Sequence, residues 1–416
     1  MKTNKNKQSN ASTMSSIETP KGMKDYLPEE QIIRQELIDK LKNIFEKYGF
    51  SPLETPAMEM LSTFSAKGAG GSEVGKQIFT LTDRADRKLG LRFDFTVPMC
   101  RAFAQYQLPV PFKRYQIGNV WREEFGNRDR EFIQCDVDVI GSSSPLADAE
   151  YLAMVQEFFD SVGLPIIIKI NSRKFLDKIM SDAKIPEDKR MPLIMILDKL
   201  NKIGETAVIA EARKMGVDAR KVLDKLRGDM PEDVKQVLRY AQQMGVKDAE
   251  FVPTLARGMD YYTGIIFEVY LKSRPTKLSV TSGGRFDKLV NLYCARDEPA
   301  TGISFGLTRI YDALKEKQTE VRKTVTQVYV VPIDTEFECA KIAKQLRDAG
   351  IKTDISLMEE RSIGKNLQYV DKMKIPYALI VGKDEIKQGK VKLKNMKDSK
   401  EWLTDIEGVI KELTSD

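Results

Sequence analysis

Apolar side chains at Ile33, Leu37, Leu41, Ile44, Phe45 and Tyr48 recur three and four residues apart, which predicts an amphipathic helix over 31–48. "SPLETPAME" follows as a short extended segment with two prolines. From 78 to 140 the period changes. "QIFTLTD", "LGLRFDFTVP", "KRYQIGNVWREE" and "REFIQCDVDVIG" are short strand-like runs separated by polar turns, the pattern of an antiparallel sheet. "LADAEYLAMVQEFFDSVG" reads as a helix and "PIIIKI" as a strand. Residues 171–250 then lose the strand pattern and read as a helical insertion. The sheet pattern resumes in "FVPTLARGMDYYTGIIFEVY", "KLSVTSGGRFDKLVNLY" and "TGISFGLTRIYDAL". Beyond a charged linker at 315–323, strands and helices alternate to the end, with "KVKLKNM" as an edge-like strand and "EWLTDIEGVIKELT" as a closing helix. The expectation is an α+β fold: an antiparallel-sheet domain over 17–170 and 251–320, a helical insertion over 171–250, and a small α/β domain with a mixed sheet over 324–416.

The totals narrow the chemistry. A chain of 416 residues exceeds one ordinary core, in line with several domains. Its 42% apolar and 31% charged residues are those of a soluble globular protein. No window predicts a membrane-spanning helix or a signal-peptide core, and residues 1–16 read as a disordered tail, so a cytoplasmic protein is expected. The four cysteines lie far apart with no CxxC spacing, which fits reduced thiols. The net charge of +6 permits a polyanionic partner without requiring one. The sequence contains 0 histidines. That excludes a Ser-His-Asp triad, histidine metal ligands and an imidazole base.

Candidate chemistry must therefore rest on carboxylates, guanidinium groups, tyrosines and backbone. "KGAGGSEVGK" fits neither GxxxxGK[ST] nor GxGxxG after a strand, so P-loop and Rossmann readings fail. In "NVWREE", Val120 and Arg122 share one strand face; the hairpin is either a solvated surface feature or a grip for a phosphate. "TGISFGLTRI" runs from a glycine-bearing strand into a helix that carries Arg309. "LARGMDYYTG" puts an arginine, an aspartate and two tyrosines ahead of an apolar strand. Near the C-terminus, Lys390, Lys392 and Lys394 fall at period two, which suits either a phosphate backbone or a guard against edge-to-edge pairing.

Together these segments resemble one family. "VWREE" and "GISFGLTRI" are similar to motifs 2 and 3 of class II aminoacyl-tRNA synthetases, and "SPLETPAME" to motif 1. "RGMDYYTG" with "SGGRFDKLV" resembles the two histidine-specific segments of the histidyl-tRNA synthetases, and "LRFDFTVP" and "PKGMKDYLP" match that family too. The resemblance runs from about Ile17 to the C-terminus. It implies a class II catalytic domain, an anticodon-binding C-terminal domain, a homodimer through the region around Pro56, and L-histidine, ATP with Mg2+, and tRNA(His) as reactants. It implies a histidine pocket of Asp94, Phe95, Thr96, Arg122, Gln134, Asp138, Arg257, Tyr261 and Tyr262. Glu124 and Phe132 would hold adenine, Arg309 the γ-phosphate, and Arg122 and Arg257 would act at the reacting carboxylate and α-phosphate; no metal is assigned to protein side chains.

Phe286 stands where the family usually has tyrosine, the 123–131 loop is shorter than usual, and Thr308 replaces a common acid before Arg309. The rival reading is a catalytically silent paralogue, similar to the regulatory subunit of ATP phosphoribosyltransferase. Retention of Arg122, Arg257 and Arg309 and of the last domain counts against it. A ligase for another amino acid is disfavoured by "RGMDYYTG". A ligase for histidine that contains none is also expected to be synthesised when histidine is scarce.

Overall fold

The computed structural model describes residues 18–65, 77–123, 129–256, 261–273, 279–317, 322–358 and 362–415. The N-terminal tail, most of the glycine-rich loop, and the segments that carry Glu124 and Arg257 lie outside the described residues. Helix α1 (Pro28–Lys47) opens on Glu29 and Glu30, which suit the positive end of its dipole, and it buries Leu37, Leu41 and Phe45. Strands β1 (Ser51–Pro52) and β2 (Met58–Met60) precede helix α2 (Leu61–Phe64). Strands β3 (Thr80–Thr82) and β4 (Lys88–Leu91) lead to helix α3 (Thr96–Tyr106). The long pair β5 (Phe112–Trp121) and β6 (Glu131–Ile140) is followed by α4 (Pro145–Ser161) and β7 (Ile166–Ser172). Helix α4 starts where Ser144 caps the Leu146 N–H and Pro145 presets the first turn.

The block after β7 is helical: α5 (Arg173–Asp182), α6 (Glu187–Leu197), α7 (Leu200–Lys214), α8 (Arg220–Leu226) and α9 (Glu232–Gln243). It gathers its own apolar cluster around Leu176, Leu193, Val208 and Leu223. Strands β8 (Ala249–Phe251), β9 (Ile265–Leu271), β10 (Thr281–Arg285) and β11 (Ala300–Gly306) then run into α10 (Leu307–Lys315). Eight strands form one sheet in the order β1-β5-β6-β11-β10-β9-β7-β8. It is antiparallel except at its ends, where β1 pairs with β5 and β7 with β8 in parallel. Tyr115, Val137, Ile303, Phe305 and Phe267 fill one of its faces. The rings of Phe45 and Phe158 lie 5.6 and 5.5 Å from that of Phe305.

Two expectations for this region are corrected. β2, β4 and β3 form a separate three-stranded sheet instead of joining the large one. "LGLRFDFTVP" is not one strand: it breaks after Leu91, and Thr96 begins α3. Thr96, Val97, Pro98, Met99, Cys100, Ala102 and Phe103 are all buried, so this helix is apolar nearly all round and shows no polar stripe to read.

The chain divides into two compact units, Met1–Asp25 with Leu37–Glu316, and Tyr26–Glu36 with Lys317–Asp416. The second contains β12 (Val328–Ile333), α11 (Glu336–Asp348), β13 (Thr353–Ile355), α12 (Ile363–Lys372), β14 (Tyr377–Gly382), α13 (Lys383–Lys387), β15 (Val391–Asn395), β16 (Glu401–Thr404) and α14 (Ile406–Thr414). Its mixed sheet has the order β13-β12-β14-β15-β16. The lysine-bearing strand β15 is therefore interior, not an edge, because Glu401–Thr404 forms the outer strand and does not start the closing helix. Val391 and Leu393 point into the core while Lys392 and Lys394 face out, and Lys394 pairs with Glu401 at 2.5 Å. Among the described residues no helix is long and apolar enough to cross a membrane.

Candidate active site

Strand periodicity builds the site. Residues two apart share a face, and registered partners on neighbouring strands share it too. Arg114, Gln116 and Gly118 on β5 therefore lie beside Asp138, Asp136 and Gln134 on β6. Those face Gly302, Ser304 and Gly306 on β11, and Ser282 and Gly284 on β10 continue the rows. The opposite face is the apolar core, so this face is a polar floor with glycines in it.

The glycines mark where other side chains lie. A Cβ on Gly302 would come within 2.0 Å of Asp138 Oδ1, so the Asp138 carboxylate lies flat across that backbone. A Cβ on Gly284 would be 2.9 Å from the Tyr262 ring. Because Gly302 and Gly284 are direct partners, Asp138 and Tyr262 sit over adjacent strands in one row. Tyr261 packs against Tyr262 with ring centroids 4.9 Å apart and edge-on to Phe286 at 5.9 Å. Beside the two tyrosines opens a cavity of about 380 Å³, also lined by Arg173, Asp177, Lys288 and Leu292.

Three carboxylates are buried at the floor: Asp94 (4% exposed), Asp136 (3%) and Asp138 (2%). Asp94 lies just before α3, and its Oδ1 accepts the Val97 N–H at 3.2 Å. Burial pushes the Asp94 carboxyl up to about 7; the Val97 hydrogen bond and the charges of Arg122 and Arg114 oppose this, and Asp136 adds to it. Burial likewise raises Asp138 to about 7 against the pull of Arg114, and it raises Asp136. Arg114 is fully buried and forms an ion pair with Asp138 Oδ2 at 2.6 Å, while one N–H also reaches the Phe95 carbonyl at 3.2 Å. That ion pair is close but poorly aligned, since Asp138 Oδ2 makes no hydrogen bond of good geometry.

Arg122 stands at the end of β5. Its Nε donates to the Phe93 carbonyl at 3.0 Å and its Nη2 to Gln134 Oε1 at 3.3 Å, and its guanidinium lies 5.1 Å from the Phe132 ring centre. Arg309, in the first turn of α10, donates to the Ser279 carbonyl at 2.6 Å. Asp94, Arg122, Gln134, Asp138 and Tyr262 thus gather on or above one face of the sheet, and Thr96 is buried at the start of α3, two residues after Asp94. Phe95 differs in kind: its ring is fully buried, 4.7 Å from the Arg92 guanidinium, with its tip 3.6 Å from where a Cβ on Gly118 would stand, so it packs on the floor as an apolar wall while its carbonyl accepts from Arg114. Glu124 and Arg257 lie outside the described residues.

Sequence reasoning missed Arg114 and Asp136. The even spacing carries both: Arg114, Gln116 and Gly118 on β5 and Gln134, Asp136 and Asp138 on β6 lie on one face, which Val120 interrupts before Arg122. The arginine of "GGRFD" is a strut. Arg285 is buried, pairs with Asp148 at 2.6 Å and donates to the carbonyls of Ser142 and Ser144. Among the described residues no group of three or more acidic or thiol side chains has the spacing to hold a metal ion.

The comparisons with known proteins agree over nearly the whole chain. A histidyl-tRNA synthetase family model matches residues 22–310 and an anticodon binding domain model residues 327–416. A histidine–tRNA ligase 1 of Bacillus cereus is 38% identical over 93% of this chain and 97% of its own. A histidine–tRNA ligase of Clostridium tetani is 35% identical over 94% and 96%. The crystal structure of the histidyl-tRNA synthetase from Nostoc sp. PCC 7120 superposes with a TM-score of 0.86 at 31% identity, covering 96% of this chain and 99% of that one.

Proposed function

The chain belongs to the histidyl-tRNA synthetase family and is a histidine–tRNA ligase, and from that premise we propose how its residues divide the work. The observation that carries the proposal is the row of buried carboxylates on the sheet floor, closed at one end by Tyr262 and at the other by Arg122. Asp94, Thr96 and Gln134 take the α-ammonium of L-histidine. Asp138 and Tyr262, with Tyr261 behind it, pair the imidazole nitrogens. A pocket that must satisfy both nitrogens rejects apolar side chains of the same shape strongly, because its own polar groups would be left unpaired.

The substrate carboxylate, already ionised near neutral pH, attacks the α-phosphorus of ATP; the new C–O–P bond forms as the bond to pyrophosphate breaks. No base is required, and catalysis is positioning plus stabilisation of charge on the phosphoryl oxygens. Arg122 and Arg257 meet the reacting carboxylate and α-phosphate, Phe132 and Glu124 bind adenine, and Arg309 meets the γ-phosphate. One preplaced donor is worth on the order of 3 kcal/mol at such a centre. Magnesium would arrive on the phosphates of ATP and neutralise part of their charge. The adenylate then passes histidine to the terminal adenosine of tRNA.

We further propose that the helical block over 171–250 is an insertion in the catalytic domain, that residues 324–416 read the anticodon, and that the enzyme is cytoplasmic. Half-exposed Met58 (49%) and Met60 (46%) beside exposed Pro56 support a homodimer through that segment. The decisive experiment is pyrophosphate exchange driven by each amino acid in turn. Exchange with histidine alone is the expected result; silence with every amino acid would leave a binding paralogue, and exchange with another would move the specificity.

A further inference from the structure

On the floor, Asp136 has no partner role assigned above, yet it occupies the middle of the carboxylate row. The β5–β6–β11 register sets Gln116, Asp136 and Ser304 in one line across three strands. Its Oδ2 accepts the Gln134 Nε2–H at 2.7 Å. Its Oδ1 is buried and meets no donor in good geometry. Gln134 is itself 8% exposed. A buried primary amide has two orientations, and its neighbours choose between them. With Nε2 committed to Asp136, Gln134 presents Oε1, and that oxygen is what Arg122 Nη2 finds at 3.3 Å.

The orientation matters electrostatically. Everything to be held at that end of the floor is cationic: the Arg122 guanidinium and, on the proposed reading of the site, the α-ammonium of the amino acid. A flipped amide would turn its N–H groups toward both. It would repel the ammonium and release the Gln134 hydrogen bond to Arg122, whose other side-chain bond among the described residues is to the Phe93 carbonyl.

We propose that Asp136 is a positioning residue that locks the Gln134 amide as an acceptor, so that amino-acid binding and the placement of Arg122 depend on it although it touches neither substrate. The inference rests on the proposed assignment of Gln134 and Arg122 to substrate. It assigns to Asp136 a specific consequence that burial alone would not have: its removal acts through Gln134.

The test is a double-mutant cycle on the full-length enzyme, read as pyrophosphate exchange with histidine and as thermal unfolding. Asp136→Ala removes the acceptor and is expected to raise KM for histidine about 10- to 100-fold, the range for losing a charge-assisted hydrogen bond. KM for ATP rises with it as Arg122 loosens. Asp136→Asn keeps an oxygen for Gln134 and is expected to stay within about threefold of the parent. Gln134→Ala should impair the enzyme to the same degree as Asp136→Ala, and the double variant should be no worse than Gln134→Ala. Should Asp136→Ala fail to fold, Asp136→Ser, whose hydroxyl is too short to reach Gln134, is read in the same way. A parental KM in the folded Ala or Ser variant, or effects that multiply in the double variant, would overturn the proposal. A parental KM in Gln134→Ala would instead remove the site assignment on which it stands.

Discussion

Replacing Asp94 by asparagine should make the protein more stable and less active. The carboxyl is buried, and its pKa rises from 3.8 to about 7 chiefly through desolvation. A group raised in the folded state contributes stability that is full below its unfolded pKa and is lost as pH rises through the folded one. At pH 8 Asp94 is ionised in both states, and at about 1.4 kcal/mol per pKa unit its burial costs on the order of 4 kcal/mol. At pH 5 it is neutral when folded, and the cost is roughly 1.6 kcal/mol by the same linkage. Asparagine keeps the acceptor for the Val97 N–H. It also balances the described charges, since Asp136 and Asp138 then face Arg114 and Arg122. Returning about 1–2 kcal/mol for burying the amide leaves a net gain near 2–3 kcal/mol at pH 8, which disappears by pH 5. For a unit of this size that is roughly 5 °C in Tm. The assay is thermal unfolding of parent and variant at pH 5 and pH 8, beside histidine-dependent pyrophosphate exchange. The expected pair of results is a Tm gain confined to the higher pH and a loss of exchange of about 100-fold or more. A variant with unchanged Tm at pH 8, or one that exchanges at the parental rate, would refute the reasoning that this carboxylate is held ionised at a cost for the sake of the substrate ammonium.

Burial pushes Asp94 and Asp138 up to about 7, so on the proposed assignment KM for histidine should climb about tenfold per pH unit or more below pH 7, as protonation would remove the charges proposed to pair the ammonium and imidazole; a flat profile from pH 8 to 5.5 would contradict this. In Gly302→Ala the new methyl meets Asp138 Oδ1 at 2.0 Å and must displace it; exchange should fall more than about 100-fold while the overpacking costs only about 1–3 kcal/mol in urea unfolding. Arg122→Lys cannot serve the Phe93 carbonyl and Gln134 together, so kcat for exchange should fall about 100-fold with folding intact. Finally, because the chain has 0 histidines, its synthesis in histidine-starved cells should outlast that of a variant with several histidines introduced at exposed positions; equal synthesis in pulse labelling would end the idea.

Much of the fold could be read from alternation. β5, β6, β9 and β11 each carry a clear period of two or a near-continuous apolar run, and α1 carries a helical stripe. Helix α3 escaped because burial on almost every side erases the stripe. The edge assignment of β15 failed because its lysines are balanced across the strand pair, Lys394 by Glu401, on a strand too short to stand out ahead of the closing helix. In the site, Asp94, Arg122, Gln134, Asp138 and Tyr262 followed from motif resemblance, and strand spacing could have added Asp136 and Arg114. What spacing could not supply was register. Only the pairing of Gly302 with Gly284 puts Asp138 beside Tyr262, from segments more than a hundred residues apart.

That juxtaposition reaches further than binding. On the proposed assignment, an acceptor carboxylate and a hydroxyl donor on either side of the imidazole would select a single tautomer of the bound ring, with its N–H toward Asp138 and its lone pair toward Tyr262. In most enzymes the protein's own histidines would crowd the nitrogen spectrum in which such a choice is visible. Here the protein contributes no histidine resonance, so the protonation state of isotope-labelled histidine can be followed through adenylation and transfer without competing side-chain signals.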